Sequence, residues 1–87
     1  MNSQPKHGTV EVVWEEFQIR SCDSKIFAGR TKAEALEWAR RKVFRGAPLP
    51  IELWHHRTFR EKARFGGWIT HHLDEMERPL RAEEFAS

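Results

Sequence analysis

Ten side chains of the chain have the chemistry to hold a polyanion or a partner. They are Arg30 and Lys32, then Trp38, Arg41, Lys42 and Arg45, then Arg57, Arg60, Lys62 and Arg64. Guanidinium forks and lysine ammonium groups suit phosphates, and a basic two-stranded arm or loop can follow a nucleic-acid groove. Glu34, Glu37, Glu52 and Glu61 interleave with these bases. The alternative is therefore a solvated surface of local ion pairs. Trp38 is a large indole among charged helix neighbours, and it needs cover from a ligand, a second copy of the chain, or the chain's own C-terminal segment with Leu80 and Phe85.

Two histidine doublets, His55-His56 and His71-His72, fall on segments expected to pair. Adjacent strand residues point to opposite faces, so at most one imidazole of each doublet can join a common site. No nearby Asp or Cys completes a metal set, so no metal or other cofactor is expected. Cys22 is followed by Asp23 rather than a base, which does not favour a reactive thiolate. The chain has no glycine-rich phosphate loop, no nucleophile elbow and no His-Glu-x-x-His pattern, so it is expected not to be an enzyme.

The 87 residues suffice for one core. Phe and Trp supply all the aromatics, so a few large side chains must do most of the burying. With a single cysteine there is no intrachain disulfide, and residues 1–8 hold no apolar run of signal-peptide type. No stretch reaches bilayer length, so a cytoplasmic protein without a membrane partner is expected. Charge is uneven: residues 20–64 carry twelve Lys or Arg against five acids, whereas residues 1–19 carry one against three and residues 65–87 two against five. A basic centre between acidic ends either attracts polyanions or is screened by its own termini.

These side chains must be positioned by a small α+β fold of order ββαββ. Residues 1–8 read as a flexible lead-in, 9–73 as the domain, and 74–87 as an acidic segment, partly ordered or docked, with room for a short C-terminal helix around Leu80 and Phe85. Val10, Val12 and Trp14 alternate on one strand face, and Phe17 and Ile19 continue on the other parity. A β-bulge at Glu15-Glu16, or two short strands at an angle, would reconcile them. Cys22-Asp23-Ser24 is turn chemistry before a second short strand, residues 25–29. Thr31-Lys32-Ala33-Glu34 is a capping box that opens one main helix over about residues 31–45, ended by Gly46 and Pro48. Leu36, Ala39 and Val43 share a stripe at ~100° per residue that must face the sheet, and Trp38 falls away from it. Residues 51–57 and 68–73 alternate as a further pair of strands. The intervening residues 58–65 read as a long loop, or as a helical turn or two begun by Thr58 and Glu61.

From Trp14 to Arg41, a Trp-containing strand, a short strand and Thr31-Lys32-Ala33-Glu34-Ala35-Leu36-Glu37-Trp38-Ala39-Arg40 resemble the arm-type DNA-binding domain of phage-family tyrosine integrases. That family places three strands before its helix. Here two are clear, and a hairpin is added after the helix. The resemblance implies a DNA-binding role. Together with the basic centre it leads to the expectation of a small non-catalytic binding module with nucleic acid as its partner. The alternative is a protein-interaction or homodimerisation module that uses exposed Trp residues, Trp38, Trp54 and Trp68.

Overall fold

The computed structural model describes residues 6–86. Six elements follow in order: β1 (Val10–Ser21), β2 (Ser24–Gly29), α1 (Lys32–Lys42), β3 (Ile51–Lys62), β4 (Trp68–Pro79) and α2 (Ala82–Phe85). The strands form one antiparallel sheet in the order β2-β1-β3-β4. This is the expected small α+β domain of ββαββ order, with its main helix on an antiparallel sheet and a short helix at the C-terminal end.

The hydrophobic residues are concentrated at one end of the sheet. Ile19 on β1 pairs with Leu53 on β3, Ser21 pairs with Ile51, and all four are buried. Over them lies the small-residue stripe of α1, Ala35, Ala39 and Val43. Ala side chains let the helix approach closely, which leaves Leu36 and Trp38 to pack at the margins of the core. Leu80 and Phe85 close it from the C-terminal side, with the Leu80 amide donating to the Ile51 carbonyl at 2.8 Å.

Beyond this core, β1, β3 and β4 run on as a three-stranded arm that no helix covers. The principal extents are 54 × 24 × 16 Å and the radius of gyration is 17.1 Å, against roughly 12 Å for a compact chain of this length. The arm accounts for the difference. Its tip is residues 63–67, where Gly66 at φ 97° reverses the chain and the Ala63 amide donates to Gly67 O at 2.9 Å. Residues 58–62 are therefore strand, neither loop nor helical turn, because each finds a cross-strand partner on both sides or on β4.

Several boundaries differ from those read in the sequence. The helix ends at Lys42, not near Arg45: Val43 is an extended C-cap (ψ 118°) whose side chain is drawn into the core, and a turn from Phe44 to Ala47 follows. Thr31 caps as expected, accepting from the Glu34 amide at 3.1 Å. Glu34 reaches one residue further back, however, to the Arg30 amide at 3.3 Å. The bulge in β1 lies at Val13 rather than at Glu15-Glu16. Val10 and Val12 thus share the helix side with Phe17 and Ile19, while Trp14 is turned to the other side. The boundary expected after Leu73 falls inside β4, which extends to Pro79. Of the lead-in, residues 1–5 lie outside the described residues, and Gly8 already donates to Lys62 O at 2.7 Å. No helix is long and apolar enough to cross a membrane among the described residues.

Candidate nucleic-acid interface

Strand alternation turns every second residue away from the helices, and among the described residues no element covers that second face of the sheet. Trp14, Trp54 and Trp68 all stand on it, and each has an arginine stacked on its ring. Arg30 lies over Trp14, Arg20 over Trp54 and Arg60 over Trp68, with 4.0 Å from guanidinium carbon to ring centroid in all three. Lys62 lies 5.1 Å from the Trp68 centroid. Stacking fixes the guanidinium plane while leaving its N–H edge free to bond laterally, which a lysine cannot reproduce.

A hydrogen-bonded ladder runs along β1 beneath these rings. The Trp14 indole N–H donates to Glu16 at 2.7 Å, Gln18 donates to the other Glu16 oxygen at 2.7 Å, and Arg20 Nε donates to Gln18 Oε1 at 2.9 Å. Partial burial would raise the Glu16 carboxyl and is the largest single influence on it. The bonds from Trp14 and Gln18 with the charge of Lys25 together outweigh it, so the group is held below the usual carboxylate range. In the middle of the face His56 bonds Asp74 at 2.6 Å and stacks on His72 with centroids 5.8 Å apart, and Thr58 lies 3.2 Å from both rings. The bond from His56, assisted by Arg20 at 3.4 Å, keeps the Asp74 carboxyl below its ordinary value.

The ten residues singled out in the sequence are divided among four places. Arg30, Arg60 and Lys62 belong to this face. Arg60 is held by Glu11 at 3.0 and 2.8 Å, Lys62 donates to Gly66 O, and Arg30 donates through Nε to Glu15 O at 3.1 Å. Lys32 and Arg57 are on the helix side. Lys32 bridges to Glu77 at 2.7 Å, and Arg57 is bonded to Glu75 while its Nε is buried without a partner among the described residues. Trp38, Arg41, Lys42 and Arg45 lie around the helix C-terminal end, Arg41 within 3.8 Å of Glu37, and Arg64 is exposed near the arm tip. The basic centre is thus largely neutralised pair by pair rather than forming one field.

Trp38 lies off the Ala35–Ala39–Val43 stripe, as its helical position requires, but its cover is not the C-terminal segment. Its ring stacks on Phe27 of β2 with centroids 4.8 Å apart and planes at 17°. The C-terminal segment instead meets the other flank of α1, where Leu36 lies beside Glu83 and Glu84. The residues that the sequence did not bring together are Trp14, Arg20 and His56 with His72. For Trp14 and Arg20 the signal is the run Trp14-x-Glu16-x-Gln18-x-Arg20, which is continuous only once the bulge is placed at Val13 rather than at Glu15-Glu16. Cys22 is exposed in the β1–β2 turn, and no three His, Cys, Asp or Glu side chains are placed to hold a metal ion among the described residues.

No family model, curated protein or solved structure matches this chain. What the fold and face define is a class: a small α+β domain presenting an uncovered antiparallel sheet surfaced by arginine-stacked indoles.

Proposed function

We propose that the chain is a non-catalytic binding module that takes single-stranded nucleic acid on the uncovered sheet face. One observation carries this reading: three of the four Trp residues stand on one open face, each with an arginine over its ring. Unpaired bases stack on aromatic and guanidinium planes. Duplex bases are already stacked and offer the indoles nothing. By register Trp68 lies level with Lys62 and Trp14 with Thr58, and Trp54 lies four residues beyond. Two steps of four residues cover ~26 Å of strand, or roughly eight nucleotides at ~3.4 Å each. The resemblance of residues 14–41 to an integrase arm-type domain supports a nucleic-acid partner, and the lone exposed thiol of Cys22 suits a reducing cytoplasm.

The test is titration of labelled single-stranded and duplex oligonucleotides across a salt series. Because acids already hold Arg20 and Arg60, about two phosphates are engaged, chiefly by Arg30 and Lys62. The expected slope of log K against log salt for single strands is about −1.4. Replacing Trp14, Trp54 and Trp68 together by Ala removes binding. If the wild-type chain binds no single strand at low salt, or the triple variant binds as well, the reading fails.

A further inference from the structure

The arm ends on its most exposed aromatic side chain. Phe65, in the turn between β3 and β4, is 79% exposed, above every other large apolar residue described. Its ring is nevertheless seated on the backbone. It lies back over Gly67, where a β-carbon would stand 2.5 Å from Phe65 Cε2 and 3.3 Å from Cδ2, so only glycine leaves the ring room. Gly66 makes the reversal at φ 97° with open space around it, and the Ala63 amide closes the turn on Gly67 O at 2.9 Å. Trp14, Trp54 and Trp68 each have a guanidinium over the ring, whereas no cation stacks on Phe65 among the described residues. A bare ring held at the end of a molecule 54 Å long is available to a planar partner.

We propose that Phe65 is a stacking platform for the end of a duplex. The ligand of the Trp-bearing face is then the single-stranded extension of a duplex rather than a free strand, a conclusion that rests on the nucleic-acid reading above. Trp68 stands three residues from Phe65 and is the indole of the open face nearest the tip, with Arg60 at 4.0 Å and Lys62 at 5.1 Å from its ring centroid. A strand that follows the indoles outward therefore reaches Phe65 next. Base pairs inside a duplex have no free face to offer the ring. The terminal pair has one, and stacking of a base on an aromatic ring is tolerant of sequence.

Charge at the tip differs from charge along the arm. Residues 6–9 and 62–68 contain Lys6, Lys62 and Arg64 and no Asp or Glu, while Glu61 and Glu11, further down the arm, are already bonded to His71 and Arg60. An acid-free basic patch favours a polyanion and repels the same tip of a second copy. Its cations also come from both sides of β3. The Gly8 amide donates to Lys62 O at 2.7 Å and the Lys62 amide to Thr9 O at 2.9 Å, which ties Lys6 to the β1 side, and Arg64 lies in the turn toward β4. A single strand brings one phosphate backbone to the ring, whereas a duplex end brings two, one on each side of its terminal pair. An anionic lipid surface would use the cations and the ring, but not the row of stacked indoles that leads to them.

The experiment is fluorescence anisotropy of labelled oligonucleotides titrated with the full chain. The probes are a free strand of about eight nucleotides, the same strand as a 5′ or a 3′ overhang on a hairpin duplex, and the blunt hairpin. One of the overhangs should bind at least about tenfold more tightly than the free strand, the scale of one base-stacking contact. Its salt slope should be steeper by about two, because Lys6 and Arg64 add two duplex phosphates. Phe65→Ala should abolish the preference and leave the free strand bound as before, whereas Phe65→Trp should keep it. Since the side chain is so exposed, both variants should fold, checked by melting beside wild type. Equal affinity for overhang and free strand overturns the proposal, and so does a Phe65→Ala chain that keeps the preference. A Phe65→Ala chain that loses affinity for the free strand in the same proportion also overturns it, and would make Phe65 a fourth platform for a single strand. Vesicles containing phosphatidylserine are the remaining probe: capture that Phe65→Ala abolishes would reassign the tip to lipid. Absence of free-strand binding at low salt removes the reading of the open face and this proposal with it, whereas free-strand binding without preference removes this proposal alone.

Discussion

Replacing Phe85 by Ala should cost the fold a large part of its stability. Phe85 is 5% exposed and belongs to the single core cluster with Ile51, Val43 and Ala39. Among the described residues that core contains nine buried apolar side chains, three of them Ala, so one aromatic ring is a large share of it. A buried Phe→Ala change costs about 3–5 kcal/mol, and a chain of this length is expected to have about 4–13 kcal/mol in total. Because Phe85 sits on a four-residue helix, the loss is capped by the free energy of docking that short segment, which places the expected cost near the lower figure. About 3 kcal/mol corresponds to a fall in melting temperature of roughly 15 °C for a domain of this size. The assay is thermal unfolding followed by far-ultraviolet circular dichroism and Trp fluorescence. Phe65→Ala is the control: Phe65 is 79% exposed at the arm tip, and its loss should change stability by no more than ~0.5 kcal/mol. Equal melting temperatures for the two variants would refute the assignment of Phe85 to the core, and with it the role of α2 as a lid on the sheet.

Two further outcomes follow from the same end of the molecule. Glu84 is gripped by both Arg78 terminal nitrogens at 2.8 and 2.9 Å and accepts from the Arg81 amide at 2.8 Å, which together lower its carboxyl from 4.5 to about 2. The folded value lies below the unfolded one, so the stabilisation is complete above pH 4.5 and is lost as pH falls toward 2. Relative to Glu84→Gln, the wild-type chain should lose about 1 kcal/mol across that window, the scale of a well-formed but solvent-facing pair, as read by melting at each pH. The stack of Trp38 on Phe27 should appear in a double-mutant cycle of Trp38→Ala and Phe27→Ala as a coupling of about 1 kcal/mol. A coupling near zero would mean that the indole is covered by something else.

The parts of the fold that the sequence discloses are those set by local rules. The capping spacing of Thr31 and Glu34, the alanine-rich stripe of α1 and the turn at Cys22-Asp23 each depend on residues within one or two turns of chain. Both turn residues take positive φ, 49° and 68°, which suits a two-residue hairpin loop. The helix ends before the position that the sequence marks because Gly46 is a strong local stop signal, whereas Val43 leaves the helix for a tertiary reason, its place in the core. β3 outruns its alternating segment for a related cause. Residues 58–62 form a strand without any apolar core to bury, held by cross-strand pairs such as Arg60 with Glu11 and Phe59 with His71, and those partners are distant in sequence.

The candidate site was legible only in its residue types. Alternation assigns Trp14 to the face of Val10 and Val12, and a single extra residue at Val13 reverses that assignment. One bulge therefore decides whether the strand contributes an indole to the open face or to the apolar side. The placement has a physical logic. With Trp14 turned outward, β1 delivers Trp14, Glu16, Gln18 and Arg20 to one surface as a continuous ladder, and Val10 and Val12 remain with Phe59, Ile69 and Leu73 on the other. The arm thereby acquires two chemically distinct faces: one satisfied by its own hydrogen bonds and stacked cations, the other short of cover. The formal charge of the centre misleads for a related reason, since Arg20, Lys32, Arg57 and Arg60 are each matched by an acid from another strand or helix. Arg20 and Arg60 keep a second feature after this pairing, the planar surface that each shares with an indole, Trp54 and Trp68, as Arg30 does with Trp14.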